Sequence, residues 1–192
     1  MKIGVLAVQG AFIEHEHIIE KIGHEVVEIR QRKDLDGIDG IILPGGESTV
    51  QGQLIRKLDM LATIKSLITD GLPTLATCAG LILLAGHIDN DDSIHIGTLP
   101  VTVKRNAYGR QLGSFVRTAP MKGFDKFPMT FIRAPYISSI KDNVDVLAAV
   151  DDRTVAVQYN NQIGLAFHPE LSGDTRIHEY FISPVSYTHL RA

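Results

Sequence analysis

The sequence holds little that would support a disulfide, a membrane span or a nucleic-acid surface. Its single cysteine, Cys78, excludes an internal disulfide and a thiolate metal cluster. No apolar run reaches the roughly 18 residues that a membrane-spanning helix requires. Lys and Arg total 19 against 22 for Asp and Glu, and the basic residues are not clustered. The sequence therefore does not indicate a basic surface that would bind nucleic acid. Residues 1–10 lack a small-residue cleavage site, so we expect no signal peptide and predict a cytoplasmic location.

What is present predicts one α/β domain, since 192 residues correspond to about one domain. In the first half of the chain, short apolar strands alternate with segments of helical spacing. Strands are predicted at 2–8, 24–30, 40–43 and 73–77, a helix at 11–22, and one or two helices at 50–68. This alternation indicates a parallel sheet that is covered by helices on both faces.

The second half of the chain is richer in strands. Strand-like segments occur at 98–104, 112–118, 129–133, 144–150, 154–159 and 162–167. Asn160 and Asn161 indicate a two-residue hairpin between the last two, because Asn tolerates positive φ. We therefore expect antiparallel strands that either extend the same sheet or form a small second layer.

Cys78 lies where a strand is predicted to turn into a helix. Ala79 and Gly80 follow it, and such small neighbours permit a sharp turn that presents a nucleophile to substrate. A helix N-terminus beside the sulfur stabilises a thiolate, and the Ala79 N–H would serve a developing oxyanion. The alternative interpretation is an inert cysteine in the core.

His168 and Glu170 follow a predicted strand and have the spacing of a base with its orienting carboxylate. Pro169 favours an extended backbone at His168, and residues two apart in an extended chain point to the same side. Glu170 would then hold one imidazole nitrogen while the other accepts the Cys78 proton. The alternative is a surface histidine beside an acidic neighbour.

Residues 43–48 form a third strand end, Leu-Pro-Gly-Gly-Glu-Ser. Its two glycines permit close backbone approach, and their N–H groups suit an anion or oxyanion. The alternative is a plain Pro-Gly turn with Ser48 as the N-cap of the next helix. Because all three segments follow strands of one predicted parallel sheet, we expect them to converge.

The remaining histidines are weaker candidates for a site. His15 and His17 lie on the first predicted helix, where residues two apart do not share a face, so the pair does not indicate a metal site. We expect both side chains to be solvated or to face a partner.

Taken together, these motifs resemble the class I, triad-type glutamine amidotransferases, and more narrowly the glutaminase subunits of pyridoxal 5′-phosphate synthase. The Cys and His-x-Glu motifs are shared by the class. Gly-Gly-Glu-Ser, the motif Arg-Asn-x-Tyr-Gly-Arg-Gln at 105–111 and Phe-Ile-Arg-Ala-Pro at 131–135 point to the subfamily. The resemblance implies a three-layer α/β sandwich with a mostly parallel central sheet, flavodoxin-like, with added antiparallel strands in the C-terminal half.

The resemblance also implies a site and a reaction. Cys78, His168 and Glu170 would form a catalytic triad that hydrolyses L-glutamine to L-glutamate and ammonia through a glutamyl thioester. The implied glutamine pocket contains Gly46, Glu47, Ser48, Arg105, Ile132 and Arg133, and the implied oxyanion hole uses the backbone N–H groups of Gly46 and Ala79. Either arginine would bind the substrate carboxylate and Glu47 its ammonium group.

A partner is implied as well. In this family the ammonia passes to a separate, barrel-shaped, oligomeric synthase subunit that makes pyridoxal 5′-phosphate in vitamin B6 biosynthesis. That molecule is the product of the complex, so we expect no cofactor, no metal, no nucleic acid and no membrane contact for this chain. The resemblance places residues 9–10 and the helix after them at or near the partner.

Two other functions remain as alternatives. One is a triad amidotransferase or γ-glutamyl hydrolase that serves another acceptor, against which the motif at 105–111 argues. The other is a silent regulatory subunit of the synthase, whose usual mark would be the loss of Cys78 or His168.

The end of the chain departs from the family pattern. We predict a single glutaminase domain over residues 1–182 and interpret residues 183–192 as an atypical tail, which a frameshift or cloning artefact would explain. Pro184 is predicted to stop the last helix, because proline has no N–H to donate within it.

Overall fold

Four short strands in the first half of the chain form the parallel core of the sheet. The computed structural model describes residues 1–106 and 113–189, except the side chains of 184–189. β1 (Lys2–Leu6) lies between β2 (Glu25–Ile29) and β3 (Gly40–Leu43), and β3 pairs with β4 (Thr74–Thr77). All of these pairings are parallel. Every residue of β3 and β4 is buried, as expected for strands with both faces covered.

The described residues form five α-helices around this sheet. They are α1 (Phe12–Lys21), α2 (Ser48–Lys57), α3 (Leu61–Thr69), α4 (Ala79–Leu84) and α5 (Arg176–His189). The segment 50–68 thus contributes to two helices. Ser48 is not an N-cap, because Glu47 takes that position and its carboxylate accepts the Thr49 N–H at 3.5 Å. In the described part of the chain, no helix combines the length and apolarity needed to cross a membrane.

The second half adds antiparallel strands to the sheet and a separate hairpin, so both expected arrangements occur. After β4, the sheet gains β5 (Ala85–Ile88), β6 (Leu99–Lys104), β9 (Tyr136–Ile140), β10 (Asp145–Val150), β11 (Arg153–Tyr159) and β12 (Gln162–Leu165). Their pairings are antiparallel except those of β5 with β6 and of β12 with β4. Its described order is β2-β1-β3-β4-β12-β11-β9-β6-β5, with β10 paired to β11. β7 (Ser114–Met121) and β8 (Phe124–Ile132) form the hairpin. The predicted fold class is confirmed.

The turn at residues 160–161 determines where the last strand of the sheet lies. Asn160 has φ of +51°, and β11 and β12 pair antiparallel across the turn, as predicted. β12 then pairs in parallel with β4, so that Leu165 lies opposite Thr77. This register places the segment after β12 beside the segment after β4.

The sequence pattern did not predict β5 and β9. β5 reads Ala-Gly-His-Ile and β9 reads Tyr-Ile-Ser-Ser-Ile, so neither contains a clear apolar run. Both are strands because they hydrogen-bond to β6, one on each side. Their pairing, rather than intrinsic propensity, fixes their conformation.

The expectation that Pro184 stops the last helix is wrong. α5 continues through it to His189. Proline cannot donate to the carbonyl oxygen four residues earlier, which belongs to Tyr180. That oxygen instead accepts the Ser183 hydroxyl at 2.7 Å, so the hydrogen bond lost to proline is replaced by a side chain. Residues 190–192 of the predicted tail lie outside the described residues.

Candidate active site

Cys78 lies at the abrupt turn between β4 and α4, as the sequence predicts. Its φ of +48° is rare for a residue other than glycine, and its N–H donates to the Leu165 carbonyl oxygen at 2.8 Å. The turn depends on Gly80, where a Cβ would come within 2.0 Å of the Leu43 carbonyl oxygen. The thiol is thus held at the end of β4, with 8% of the residue exposed.

His168 follows β12 and is held from several sides. Its backbone N–H donates to the Thr130 carbonyl oxygen of β8 at 2.8 Å. The ring lies against Gly45, where a Cβ would come within 2.3 Å of Cε1. Nδ1 lies 2.7 Å from Oε1 of Glu170. The imidazole therefore has one orientation, which leaves Nε2 for the thiol.

The predicted contact between His168 and Glu170 is present, but the extended backbone predicted to produce it is wrong. Glu170 lies in a 3-10 turn, Pro169–Leu171, that begins directly after His168. The fixed φ of Pro169 suits the first position of such a turn. The turn brings the carboxylate back to the ring, and the Glu170 side chain has no solvent exposure.

Hydrogen bonding within this group determines the charge of His168. Burial lowers the pKa of His168, but hydrogen bonds with Cys78 and Glu170 outweigh burial and raise it to about 10. His168 therefore keeps its proton at neutral pH. An imidazolium beside a thiol is the arrangement that activates cysteine nucleophiles.

A cavity of about 360 Å³ opens in front of Cys78, a volume sufficient for a small ligand. His168 and Ala79 also line it. So does every residue that the family resemblance assigned to the glutamine pocket: Gly46, Glu47, Ser48, Arg105, Ile132 and Arg133. The three strand ends predicted to converge do so here.

Gly46 and Gln9 are in close contact at the edge of this cavity. Gly46 has φ of +156°, and a Cβ there would lie 2.5 Å from Oε1 of Gln9. That oxygen accepts the Glu47 N–H at 2.8 Å, and the Gln51 side chain donates to the Gln9 carbonyl oxygen at 2.9 Å. Gln9 also lines the cavity. The sequence around Gln9 and Gly10 did not indicate this position. The contact of Gln9 with a partner remains a prediction.

Arg105 combines an ion pair with an unused hydrogen-bonding edge. Its Nη1 lies 2.9 Å from Oδ2 of Asp91. Nε and Nη2 are buried and have no hydrogen-bond partner among the described residues. These two nitrogens form the edge that binds a carboxylate with two parallel hydrogen bonds. Residues 107–111 of the motif that begins at Arg105 lie outside the described residues.

Two buried histidines next to this group were not predicted as site residues. His15 on α1 is fully buried, so the expectation that it is solvated or faces a partner is wrong, whereas His17 is exposed as expected. Nδ1 of His15 lies 2.9 Å from Nε2 of His178 on α5, and its Nε2 lies 3.4 Å from Oε2 of Glu170. The sequence did contain one indication that His15 is buried, because it lies on the apolar face of the predicted helix.

Comparison with known proteins assigns the chain to a family. A model of the SNO glutamine amidotransferase family matches residues 5–187, and the chain belongs to this family. A relative from Desulfitobacterium hafniense (strain DSM 10664 / DCB-2), named pyridoxal 5′-phosphate synthase subunit PdxT, is 57% identical over 97% of this chain and 94% of its own. The subunit of the same name from Streptococcus pneumoniae (strain CGSP14) is 51% identical over 95% of this chain and 96% of its own.

Solved structures agree with this assignment. A crystal structure of a glutamine amidotransferase superposes with a TM-score of 0.92 at 38% identity, and covers 96% of this chain and 98% of the other. The structure of PurLQS from Thermotoga maritima has a TM-score of 0.72 at 19% identity, and its likeness is one of fold alone. The sequence-based assignment to the glutamine amidotransferases is confirmed.

We predict that the folded protein loses stability as the pH falls from 6.5 towards 4. Burial lowers the pKa of His178 from 6.5 to about 4, so the unfolded chain binds more protons throughout that window. Burial, with His178 and His168 nearby, also holds the pKa of His15 well below 6.5. The free energy of unfolding, from urea titrations at about pH 7 and about pH 5, should fall by on the order of 1–3 kcal/mol.

The control for this prediction is His178→Leu, which removes one of the titrating groups. The free energy of unfolding of that variant should vary less over the same pH window. Equal pH dependence in the variant and the native chain would contradict the assignment to His178.

Proposed function

We propose that this chain hydrolyses L-glutamine to L-glutamate and ammonia as the glutaminase subunit of pyridoxal 5′-phosphate synthase. One observation carries the proposal. Cys78 contacts His168 and His168 contacts Glu170, beside a cavity that all six expected glutamine-pocket residues line. Relatives that are 51–57% identical over nearly their whole length have the name of that subunit. Residues 1–182 would form the glutaminase domain.

In the first half of the reaction, Cys78 attacks the side-chain amide carbon of glutamine. The sulfur–carbon bond forms, and the amide oxygen becomes an oxyanion that accepts hydrogen bonds from backbone N–H groups of Gly46 and Ala79. Collapse of this intermediate breaks the carbon–nitrogen bond. His168 gives its proton to the departing nitrogen, and ammonia leaves behind a glutamyl thioester on Cys78.

In the second half, water hydrolyses the thioester. His168, now neutral, accepts a proton from the water as it attacks the same carbon, and the oxyanion forms again in the same place. The carbon–sulfur bond breaks, glutamate leaves, and the Cys78–His168 pair regains its starting charge. Throughout, Glu170 keeps Nδ1 of His168 protonated and Nε2 directed at the reacting atoms.

The cavity has the charges that a zwitterionic amino acid requires. The Nε–Nη2 edge of Arg105, which has no hydrogen-bond partner among the described residues, favours this residue as the receptor of the substrate carboxylate, since Asp91 binds the other side of the guanidinium. Glu47 would face the ammonium group. Ser48, Ile132 and Arg133 would complete the walls.

The ammonia would be used by a partner synthase subunit. We propose that the partner is the barrel-shaped, oligomeric subunit that resemblance to the family implies, and that the complex acts in the cytoplasm. The chemistry of the triad is complete without a cofactor, because the nucleophile, base and orienting carboxylate are all side chains.

We predict that Cys78→Ala abolishes glutamine hydrolysis because no other thiol is present in the chain. The measurement is ammonia release from glutamine by the chain assembled with its synthase subunit. Added ammonium salt should restore pyridoxal 5′-phosphate synthesis by the same variant complex, which serves as the control for assembly. Hydrolysis above about a few per cent of the native rate would contradict the nucleophile assignment.

We predict that Arg105→Lys raises the KM for glutamine by about tenfold with a smaller change in kcat, because an ammonium group loses the two-bond contact to the carboxylate. Arg117→Lys, a change on the exposed face of β7, is the matched control and should leave both constants unchanged. An unchanged KM for the Arg105 variant would exclude it as the carboxylate receptor.

A further inference from the structure

The Glu170 carboxylate is buried and only half of it is used by the triad. Oε1 accepts from Nδ1 of His168, whereas Oε2 has no hydrogen bond of good geometry among the described residues. The neighbour of Oε2 is Nε2 of His15, at 3.4 Å, and both side chains have no solvent exposure. A buried carboxylate oxygen without a donor is costly, so this contact is where the second donor belongs.

His15 can donate to Glu170 in only one of its two neutral tautomers. With the proton on Nδ1, the lone pair of Nε2 would face the carboxylate and repel it. With the proton on Nε2, the N–H has two acceptors within reach: the hydroxyl oxygen of Thr77 at 3.3 Å, and Oε2 of Glu170 at 3.4 Å, which a small rotation of either side chain would bring into hydrogen-bond alignment. The charge of Glu170 therefore selects the second tautomer.

His178 supplies the complementary half of this arrangement. Nε2 of His178 lies 2.9 Å from Nδ1 of His15. When His15 carries its proton on Nε2, its Nδ1 has a free lone pair, and that lone pair accepts the Nε2–H of His178. Nδ1 of His178 has no partner within the described part of the chain. A bare acceptor is the less costly group to leave unpaired, which agrees with placing the proton on Nε2.

Both rings are neutral in this arrangement. Burial lowers the pKa of each, and the charge of neighbouring His168 disfavours a second cation at His15. The groups that face His15 are Glu170 and His168 from the segment after β12, Thr77 from β4 and His178 from α5. A neutral donor holds the carboxylate without neutralising the charge that His168 needs.

We propose that His15 is a positioning residue of the triad: its Nε2–H holds Oε2 of Glu170, and His178 fixes the tautomer that makes this possible. This proposal rests on the triad mechanism above. By fixing both oxygens, His15 and His168 prevent rotation of the carboxylate, and the carboxylate in turn fixes the His168 ring. His15 acts through Glu170 and does not touch the cavity.

The test compares His15→Leu, which removes the donor, with His15→Gln, whose amide nitrogen reaches the same point. In the complex with the synthase subunit, the leucine variant should lower kcat for glutamine by about tenfold while KM stays within about twofold, because the pocket is intact. The pH profile of its kcat/KM should also change, because the carboxylate that orients His168 has lost one of its two contacts. The glutamine variant should recover most of kcat and the native profile.

His178→Leu separates positioning from packing. It should lower kcat when residue 15 is the native histidine and have little effect in the His15→Gln background, where the donor no longer depends on a tautomer. Equal losses in both backgrounds would overturn the role of His178. A leucine variant at residue 15 that melts at the native temperature and keeps native kcat and pH profile would overturn that of His15.

A measurement on the native protein avoids variants that fail to fold. Nitrogen chemical shifts of ¹⁵N-labelled imidazoles distinguish the tautomers, and they should show His15 neutral and protonated at Nε2 around neutral pH. Protonation at Nδ1, or an imidazolium, would overturn the proposal. If Cys78→Ala does not abolish hydrolysis, the proposed function is overturned. That result is distinguishable from the results above, which concern only His15 and His178.

Discussion

Nδ1 of His168 donates at 2.7 Å to Oε1 of Glu170, whose side chain has no solvent exposure, and the chemistry of the cavity follows from this hydrogen bond. It fixes the ring so that Nε2 faces Cys78, and together with the thiol it raises the pKa of His168 to about 10. The fold supports that one contact from several directions. β8 holds the His168 backbone, Gly45 leaves room for its ring, and the turn after Pro169 brings the carboxylate to it.

The parts of the site that depend on local sequence could be predicted. Cys78 follows an apolar strand and precedes small residues, so its turn is visible in the sequence. The parallel core was predictable because strands buried on both faces form short apolar runs. Convergence of Gly46, Cys78 and His168 followed from topology, since the segments after β3, β4 and β12 meet where these strands lie side by side.

The parts that depend on long-range contacts could not be predicted. His15 and His178 are 163 residues apart in the chain, and no local pattern reports that their rings meet beside Glu170. β5 and β9 lack strand-like composition and exist because β6 pairs with both. Pro184 is a helix breaker in sequence terms, and it is tolerated because the Ser183 hydroxyl takes over the hydrogen bond to the Tyr180 carbonyl oxygen. The two histidines and these two strands depend on tertiary partners, whereas Pro184 is tolerated through a local hydrogen bond made by the residue before it.

The proposed mechanism requires that the single thiol of this chain becomes acylated during glutamine hydrolysis. It is tested most directly by rapid acid quench of the glutamine-supplied complex during turnover, followed by mass spectrometry of the peptide that contains Cys78. We expect a glutamyl group in thioester linkage on that peptide, which treatment with hydroxylamine should remove. Steady release of ammonia with Cys78 unmodified at every quench time, including in a Glu170→Gln variant with slowed turnover, would contradict it.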